Sequence, residues 1–341
     1  MKILIISPTQ SGIGGIAKQV QGLLKFLLIN NVEIDVVSSE NTFTVPIRGF
    51  KNLSFMFSSF IKTKFITKHY DIIHAHNPVS AIAMKNINGK KILTLWGSYT
   101  EQVKLLHGNI VGKLSEKLED ESLKTADVIT TSSNMIVKYC LKLGYTAHFI
   151  PDAIDFDELP KNLDRKYEKQ IIYVGRLSKE KGILQLLEVS KKLPSDIHLL
   201  ILGTGPEEKI IKQLSSTSQN IHYLGYQPKE KTIPLIRGSD ILIQPSLMEG
   251  GINTTALEAM ACNTSILATS LEDQKDVLRH MDTAFCVNPK STSELLEGIF
   301  ELMNDNTLRS NLSKNAYLEV QKYSWDMIGK QYLDIYKKLF D

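Results

Sequence analysis

Twice along this chain a set of short Ile-, Leu- and Val-rich runs alternates with helical patterns, and each set opens on a strand that feeds a glycine-bearing loop. The first set comprises Lys2-Ile3-Leu4-Ile5-Ile6-Ser7, Ile34-Asp35-Val36-Val37, Asp71-Ile72-Ile73-His74-Ala75, Lys91-Ile92-Leu93-Thr94-Leu95 and Asp127-Val128-Ile129-Thr130. After the loop from Pro8 to Gly15, Ile16, Val20, Leu23, Leu24, Leu27 and Leu28 fall at three-to-four spacing, the stripe of an amphipathic helix. A further helical stretch runs from Glu116 to Thr125. The second set starts at Gln170 with Ile171-Ile172-Tyr173-Val174-Gly175. It continues through Ile197–Gly203, Ile221–Gly225 and Asp240–Gln244. Strands apolar on both faces, separated by helices, indicate βαβ units and parallel sheets. The charged stretch Leu159–Lys169 lies between the sets and reads as a linker. The expected class is therefore α/β, with two doubly wound halves facing across a cleft. Ligands of such sheets bind beyond the carboxyl ends of the strands.

Composition narrows the function classes. A length of 341 residues exceeds what one core usually holds, and 43% hydrophobic with 23% charged residues excludes a disordered chain. No apolar run approaches the ~20 residues of a membrane-spanning helix. The opening apolar stretch stops at Pro8, shorter than a secretory leader needs, so a cytoplasmic protein is expected. Cys140, Cys262 and Cys286 are too few and too scattered for a disulfide framework or a CxxC metal knot, and read as small core residues. A net charge of +3 gives no reason to expect nucleic acid as a partner.

Two segments of the second half carry phosphate chemistry. Gly175-Arg176-Leu177-Ser178-Lys179-Glu180-Lys181-Gly182 leaves a strand and enters a helix, placing a guanidinium fork and an ammonium where a diphosphate could lie. Taken alone, it could equally be a solvated helix start. The second segment runs from Pro245 to Ala261 and includes Glu249-Gly250-Gly251-Ile252-Asn253-Thr254 before a helix expected near Thr255. Backbone N–H groups at such a helix start, with the helix dipole, suit phosphate. For Glu258 the plainer alternative is a capping box, Thr255-Ala256-Leu257-Glu258. Two phosphate-type loops at corresponding strand ends of one half favour the functional reading.

Together these motifs resemble the retaining glycosyltransferase family 4, the glycosyl transferases group 1 of GT-B fold. So do, in order, Asp71–His76, Ile150-Pro151-Asp152-Ala153-Ile154-Asp155, Leu202-Gly203-Thr204-Gly205-Pro206, and the closing Tyr323-Ser324-Trp325 with Gln331-Tyr332. The resemblance implies an acceptor-binding domain over 1–158, a linker over 159–169 and a nucleotide-sugar-binding domain over 170–323. Residues 324–341 would form a last helix returning to the first domain. It implies a hexosyltransferase-type enzyme transferring sugar from a nucleotide-diphosphate donor, UDP- or GDP-linked. The acceptor would be a glycan or lipid-linked molecule of cell-envelope or surface polysaccharide synthesis. Arg176 and Lys181 would neutralise the departing diphosphate. Glu258 would hold the ribose hydroxyls, and Glu249 with the backbone of Gly250 to Thr254 the donor sugar and β-phosphate. Tyr226 would lie beside the base, Gly14 and Gly15 would approach the phosphates and acceptor, and His76 would face the cleft, its plainer alternative being a loop histidine satisfied by its neighbours. No metal or other cofactor is expected, and Asp155-Phe156-Asp157, at the domain junction, imitates a metal-binding DxD without being one.

Three positions depart from the family pattern. Eight residues separate Glu249 from Glu258 instead of seven, so either the loop absorbs an extra residue or Gly250 takes the sugar-contacting place. Trp96, in Leu95-Trp96-Gly97-Ser98-Tyr99, stands where the family usually has His, and an indole stacks but accepts no hydrogen bond. Asp152-Ala153 replaces the usual Asn-Gly.

From Asn41 to Tyr70 there is no acidic residue, against five cations (Arg48, Lys51, Lys62, Lys64, Lys68) and seven aromatics (Phe43, Phe50, Phe55, Phe57, Phe60, Phe65, Tyr70). The plainer expectation is a helix with its Phe side chains in the core and its lysines solvated. The alternative is peripheral contact of 41–70 with an anionic membrane. Two other functions fit parts of the sequence. Gly12-Ile13-Gly14-Gly15-Ile16-Ala17 matches a G-x-G-x-x-A fingerprint, with Glu33 or Asp35 as the ribose-binding acid of an NAD-dependent oxidoreductase. The glycines lie four residues beyond the strand, however, which that fingerprint does not allow. A non-catalytic relative that only binds a sugar nucleotide is the other.

Overall fold

A computed structural model describes residues 1–11, 14–45, 47, 50–97 and 99–340, with backbone alone at 101, 102, 104–111 and 114. The chain divides into two units, one of 1–153 with 325–341 and one of 154–324.

In the first unit β1 (Lys2–Ser7), α1 (Gly15–Ile29), β2 (Glu33–Ser38), α2 (Lys51–Lys64), β3 (Ile72–His76) and α3 (Pro78–Met84) lead to β4 (Lys90–Leu95). They are followed by α4 (Tyr99–Thr125), β5 (Val128–Thr131), α5 (Asn134–Lys142) and β6 (Ala147–Phe149). All neighbouring strands are parallel, in the order β2-β1-β3-β4-β5-β6. The period-two alternation of β1 shows why its sequence is apolar throughout. Ile3 and Ile5 enter one core with Val20, Leu23 and Leu27 of α1, while Leu4 and Ile6 enter the other with Phe55, Ala83 and Met84.

The second unit runs β7 (Lys169–Val174), a 3-10 turn (Lys179–Lys181), α6 (Ile183–Ser190), β8 (Ile197–Leu202), α7 (Glu208–Thr217) and β9 (Ile221–Gly225). It continues with α8 (Lys229–Arg237), β10 (Ile241–Gln244), α9 (Thr254–Ala261), β11 (Ser265–Thr269), β12 (Phe285–Val287), α10 (Thr292–Asn304) and α11 (Asn306–Val320). Its sheet is also parallel, in the order β12-β11-β10-β7-β8-β9, which is the doubly wound dinucleotide-fold order read from one edge. Here too β7 feeds two cores, Ile171 and Tyr173 on one face and Ile172 on the other. The last helix, α12 (Trp325–Phe340), belongs to the first unit, where Ile328, Tyr332 and Tyr336 join the core of β1 and α1.

The strand runs read from sequence all form strands. β6, β11 and β12 are additional, and the stretch 116–125 is the last part of the longer α4. Two expectations are corrected. Residues 159–169 are not a free linker but pack on the second unit. Leu159 is buried, Asp164 N donates to Pro234 O (2.9 Å), and Arg165 Nη2 bonds Asp240 Oδ2 (2.8 Å). The ring of Tyr167 stacks on His198 (centroids 3.8 Å apart) and on His222 (4.6 Å). Among the charges of this stretch Arg165 is thus an anchor to the second unit. The second correction concerns α2. Of the phenylalanines of 41–70 only Phe55 is buried, beside Ser59 and Thr63, while Phe43, Phe50, Phe57 and Phe65 are exposed. Arg48 lies outside the described residues. Cys140 and Cys262 are buried as expected, Cys286 half-buried, and all three are free thiols.

Candidate active site

In an open parallel sheet the ligand crevice opens where strand order reverses, because there the two flanking loops diverge to opposite faces. In the second unit that point lies between β7 and β10, which pair through Ile171–Ile241 and Ile172–Leu242. The loops that leave their carboxyl ends are the two phosphate-type segments of the sequence. They are tied together: Leu247 N donates to Glu180 O (2.8 Å), and Lys181 Nζ bonds Glu249 Oε2 (2.5 Å). Gly182 sits at φ 69 against the backbone of Pro245, where a Cβ would fall 1.7 Å from the carbonyl oxygen. Only glycine can close these loops so tightly.

Within this junction Arg176 is half-exposed, with Nη1 3.9 Å from Glu180 Oε1, and its backbone carbonyl accepts from Tyr173 Oη (2.8 Å). Lys181 is partly covered, whereas only 6% of the Glu249 side chain is exposed. Both carboxylate oxygens of Glu249 are engaged, Oε2 by Lys181 and Oε1 by Ser246 Oγ (2.6 Å) and Asn253 Nδ2 (3.0 Å). Glu249 therefore braces the loop and aims Lys181. Gly250 and Gly251 follow it, Gly251 at φ 149, and Ile252 anchors the loop in the core. Asn253 is the N-cap of α9, its Oδ1 accepting from Thr255 N (2.9 Å), and the helix starts at Thr254. The capping box suggested for Thr255–Glu258 is thereby excluded, because Glu258 lies a turn inside the helix, where it is 5% exposed. The first intrahelical bonds, from Ala256 N and Leu257 N to Asn253 O, leave the preceding N–H groups at the positive end of the helix dipole. Tyr226, 49% exposed, follows β9 at the sheet edge, two strands from β7.

The first unit has its own reversal between β1 and β3. Gly14, at φ 130, caps α1 and Gly15 opens it. Glu40, which the sequence reading passed over, holds the loop in front of them. Its carboxylate accepts from Gln10 N (3.1 Å) and Ser11 N (3.1 Å). Burial alone would raise its pKa, but hydrogen bonds from Ser38 and from these amides outweigh it and bring it down to about 2. At the carboxyl end of β3, His76 is 1% exposed, and burial pushes its ring down to about 3, so it is neutral. The ring stacks on Trp96 (centroids 5.8 Å, planes 10° apart) and contacts His74 (4.3 Å). Among the described residues neither ring nitrogen of His76 nor the indole nitrogen of Trp96 has a hydrogen-bond partner. His74 behind it is fully committed, with Nδ1 to Tyr336 Oη (2.7 Å) and Nε2 to Thr94 Oγ1 (2.6 Å).

Family models match both units: Glycosyltransferase Family 4 over residues 13–158 and Glycosyl transferases group 1 over residues 155–319. The chain belongs to glycosyltransferase family 4. An uncharacterized glycosyltransferase of Methanocaldococcus jannaschii is 25% identical over 95% of this chain and 94% of its own length. Phosphatidyl-myo-inositol mannosyltransferase of Mycobacterium leprae is 22% identical over 89% and 83%. Among solved structures, sucrose-phosphate synthase of Thermosynechococcus elongatus shares the fold at TM-score 0.83, with 18% identity and 99% of each chain covered. Anabaena HepE in complex with UDP-glucose does so at TM-score 0.76, with 16% identity, covering 99% of this chain and 100% of its own. The fold is GT-B, two Rossmann-like domains.

For this glycosyltransferase the oxidoreductase reading falls away on local grounds too. Glu33 and Asp35 occupy the amino half of β2, where Glu33 pairs with Lys2 and Asp35 with Lys68 (3.0 Å) and Tyr70 Oη (2.7 Å). The acid near the carboxyl end of β2 is Glu40, already filled by loop amides. Gly12 and Ile13 of the fingerprint, and Ser98 after Trp96, lie outside the described residues. Asp155 Oδ1 accepts from Asp157 N (3.1 Å), a local turn. No trio of His, Cys, Asp or Glu among the described residues is grouped to hold a metal, and no helix among them is long and apolar enough to cross a membrane.

Proposed function

We propose that this glycosyltransferase is a retaining enzyme that moves a sugar from a UDP- or GDP-linked donor to a glycan or lipid-linked acceptor. Its setting would be the synthesis of cell-envelope or surface polysaccharide at the cytoplasmic face of the membrane, and it would need no metal ion. The observation that carries the reading is the knitted junction of the β7 and β10 loops, which brings Arg176, Lys181 and the start of α9 to one strand-order reversal. A diphosphate there meets a guanidinium fork, an ammonium and helix N–H groups without a cation. HepE, solved with UDP-glucose, supplies the precedent for a UDP-sugar on this fold.

The donor's C1–O bond to the β-phosphate breaks while the acceptor oxygen bonds C1 on the same face, and the acceptor's proton passes to the departing phosphate oxygen. The charge growing on that oxygen is what Arg176 and Lys181 stabilise. Glu249 is a positioning residue acting through Lys181, so the backbone from Gly250 to Thr254 takes the sugar and β-phosphate, and Glu258 takes the ribose hydroxyls. Tyr226 flanks the base. In the first unit Gly14, Gly15 and the neutral ring of His76 serve the acceptor side, where holding a hydroxyl in place contributes through orientation.

Thermal unfolding with UDP, GDP, ADP and NAD⁺, each with and without EDTA, tests the reading. A ligand at 100 times its dissociation constant stabilises by about 2.7 kcal/mol. The expected result is a shift with UDP or GDP that persists in EDTA and largely disappears in Arg176→Gln. A shift that EDTA abolishes, or one with NAD⁺ alone, overturns it.

A further inference from the structure

We propose that the outward face of α2 docks onto an anionic membrane surface, with Phe50, Leu53, Phe57 and Ile61 entering the headgroup–acyl boundary. These four residues recur at intervals of three, four and four along the helix, and Phe65 just past its end continues the row. They form one stripe opposite the buried Phe55, Ser59 and Thr63. They are 60%, 47%, 59% and 57% exposed, and Phe65 is 80% exposed. Phe43 (77%) and Ile47 (59%), from the approach to the helix, are bare as well. Singly exposed apolar residues need no explanation, but a contiguous row of this kind marks an interaction surface.

Charge decides which partner covers it. No acidic residue occurs from 41 to 70. Lys68 is paired with Asp35 and Lys62 is turned onto Asn41, but Lys51 and Lys64 are exposed on the helix that carries the stripe. Lys64 Nζ lies 4.7 Å above the Phe60 ring. In a second copy of this chain the same face would bring a second set of lysines and no acid to meet them. An anionic lipid surface offers phosphates to the lysines and hydrocarbon to the stripe together. A 14-residue helix is about 21 Å long and lies along the surface without crossing it. The inference deepens the acceptor side of the proposed function, and its test reads partitioning instead of turnover or nucleotide binding, so the two can fail separately.

The full chain is incubated at low salt with sucrose-loaded phosphatidylcholine vesicles, with and without about one-third phosphatidylglycerol, and sedimented. Sedimentation with the anionic vesicles alone is expected. Lys51→Gln with Lys64→Gln should weaken it by about fivefold per lysine, and Phe57→Ser with Ile61→Ser by more than tenfold. Both altered side chains of the last variant are exposed, so its UDP- or GDP-dependent thermal shift should match that of the parent chain. No sedimentation of the parent chain overturns the proposal, as does equal sedimentation of the stripe variant. Concentration-dependent dimerisation that the stripe variant abolishes also overturns it, assigning the face to a second copy.

Discussion

Gly182 and His76 show how single residues hold this protein in states that other side chains could not. Gly182 combines a left-handed backbone with the contact on Pro245 O, while Gly144, at φ 85, has open space where its Cβ would lie. Alanine at 144 therefore meets backbone strain alone, roughly 1–2 kcal/mol. Alanine at 182 meets the same strain and must also push the β10 loop away from the β7 loop. Urea unfolding should show Gly182→Ala costing at least about 2 kcal/mol more than Gly144→Ala, and only Gly182→Ala should lose nucleotide binding. Equal costs would mean the two loops part easily. His76 makes the protein sensitive to acid. Its folded pKa of about 3 lies below the usual 6.5, and His74, desolvated beside it, is also held well below that value. A histidine kept neutral contributes stability that is complete above pH 6.5 and is lost as pH falls toward the folded pKa, at about 1.4 kcal/mol per pH unit for each ring. Glu40, with a pKa of about 2, adds its own loss only below the ordinary carboxylate range near 4.5. Between pH 6.5 and 5 the histidines thus dominate, and His76→Gln should lower the slope of stability against pH by about 1.4 kcal/mol per unit. An unchanged slope in the variant would show that the ring is hydrated in the folded state.

Helix α12 and helix α1 meet through two glycines with different neighbours. A Cβ on Gly329 would lie 2.5 Å from the ring of Phe26, which is 6% exposed and boxed in by the core. A Cβ on Gly22 would lie 2.1 Å from the indole of Trp325, which is only half-buried and can swing outward. Overpacking costs about 1–3 kcal/mol where neighbours cannot yield. Gly329→Ala should accordingly lower the urea midpoint clearly more than Gly22→Ala, and the reverse order would mean that the two helices slide as a pair. Helix α2 shows where periodicity misleads. Its buried face is marked by Phe55, Ser59 and Thr63, two of them small and polar, while its most apolar row faces outward. A pattern rule that places Phe inside selects the wrong face, because the side buried here is the one packed closely on α3, where the small Ser59 and Thr63 fit. Most strands posed no such problem, although β11, buried at all five positions and opening on Ser265, was passed over. β1, β7 and β10 are apolar on both faces and could be read directly. β6, with two of its three residues exposed, and β12, three residues at a sheet edge, carry too little pattern to stand out.

At the scale of the whole chain, the repeated alternation of strands and helices made two parallel-sheet units legible. The glycine-bearing loops marked which strand ends matter. What stayed hidden were relations between residues far apart in sequence. Arg165 and Asp240 lie 75 positions apart, yet they fix a stretch whose composition suggested a tether. Glu40 reaches back to loop amides about 30 positions earlier. Glu249 carries the motif position but spends its carboxylate inside its own loop, which the extra residue before Glu258 could hint at and only the contacts reveal. The unit boundaries have one more consequence, which concerns time. The first unit is the first to leave the ribosome, but its core lacks Ile328, Tyr332 and Tyr336, and His74 lacks its partner, until the last helix is made. At about 5–20 residues per second, translating 154–324 takes on the order of ten to thirty seconds. For that interval the nascent amino-terminal half carries an open apolar seam, whereas the second unit, contiguous in sequence, needs no later segment once residue 324 is made. The unit whose synthesis starts earlier is therefore completed later, and its seam closes only when the last helix is made.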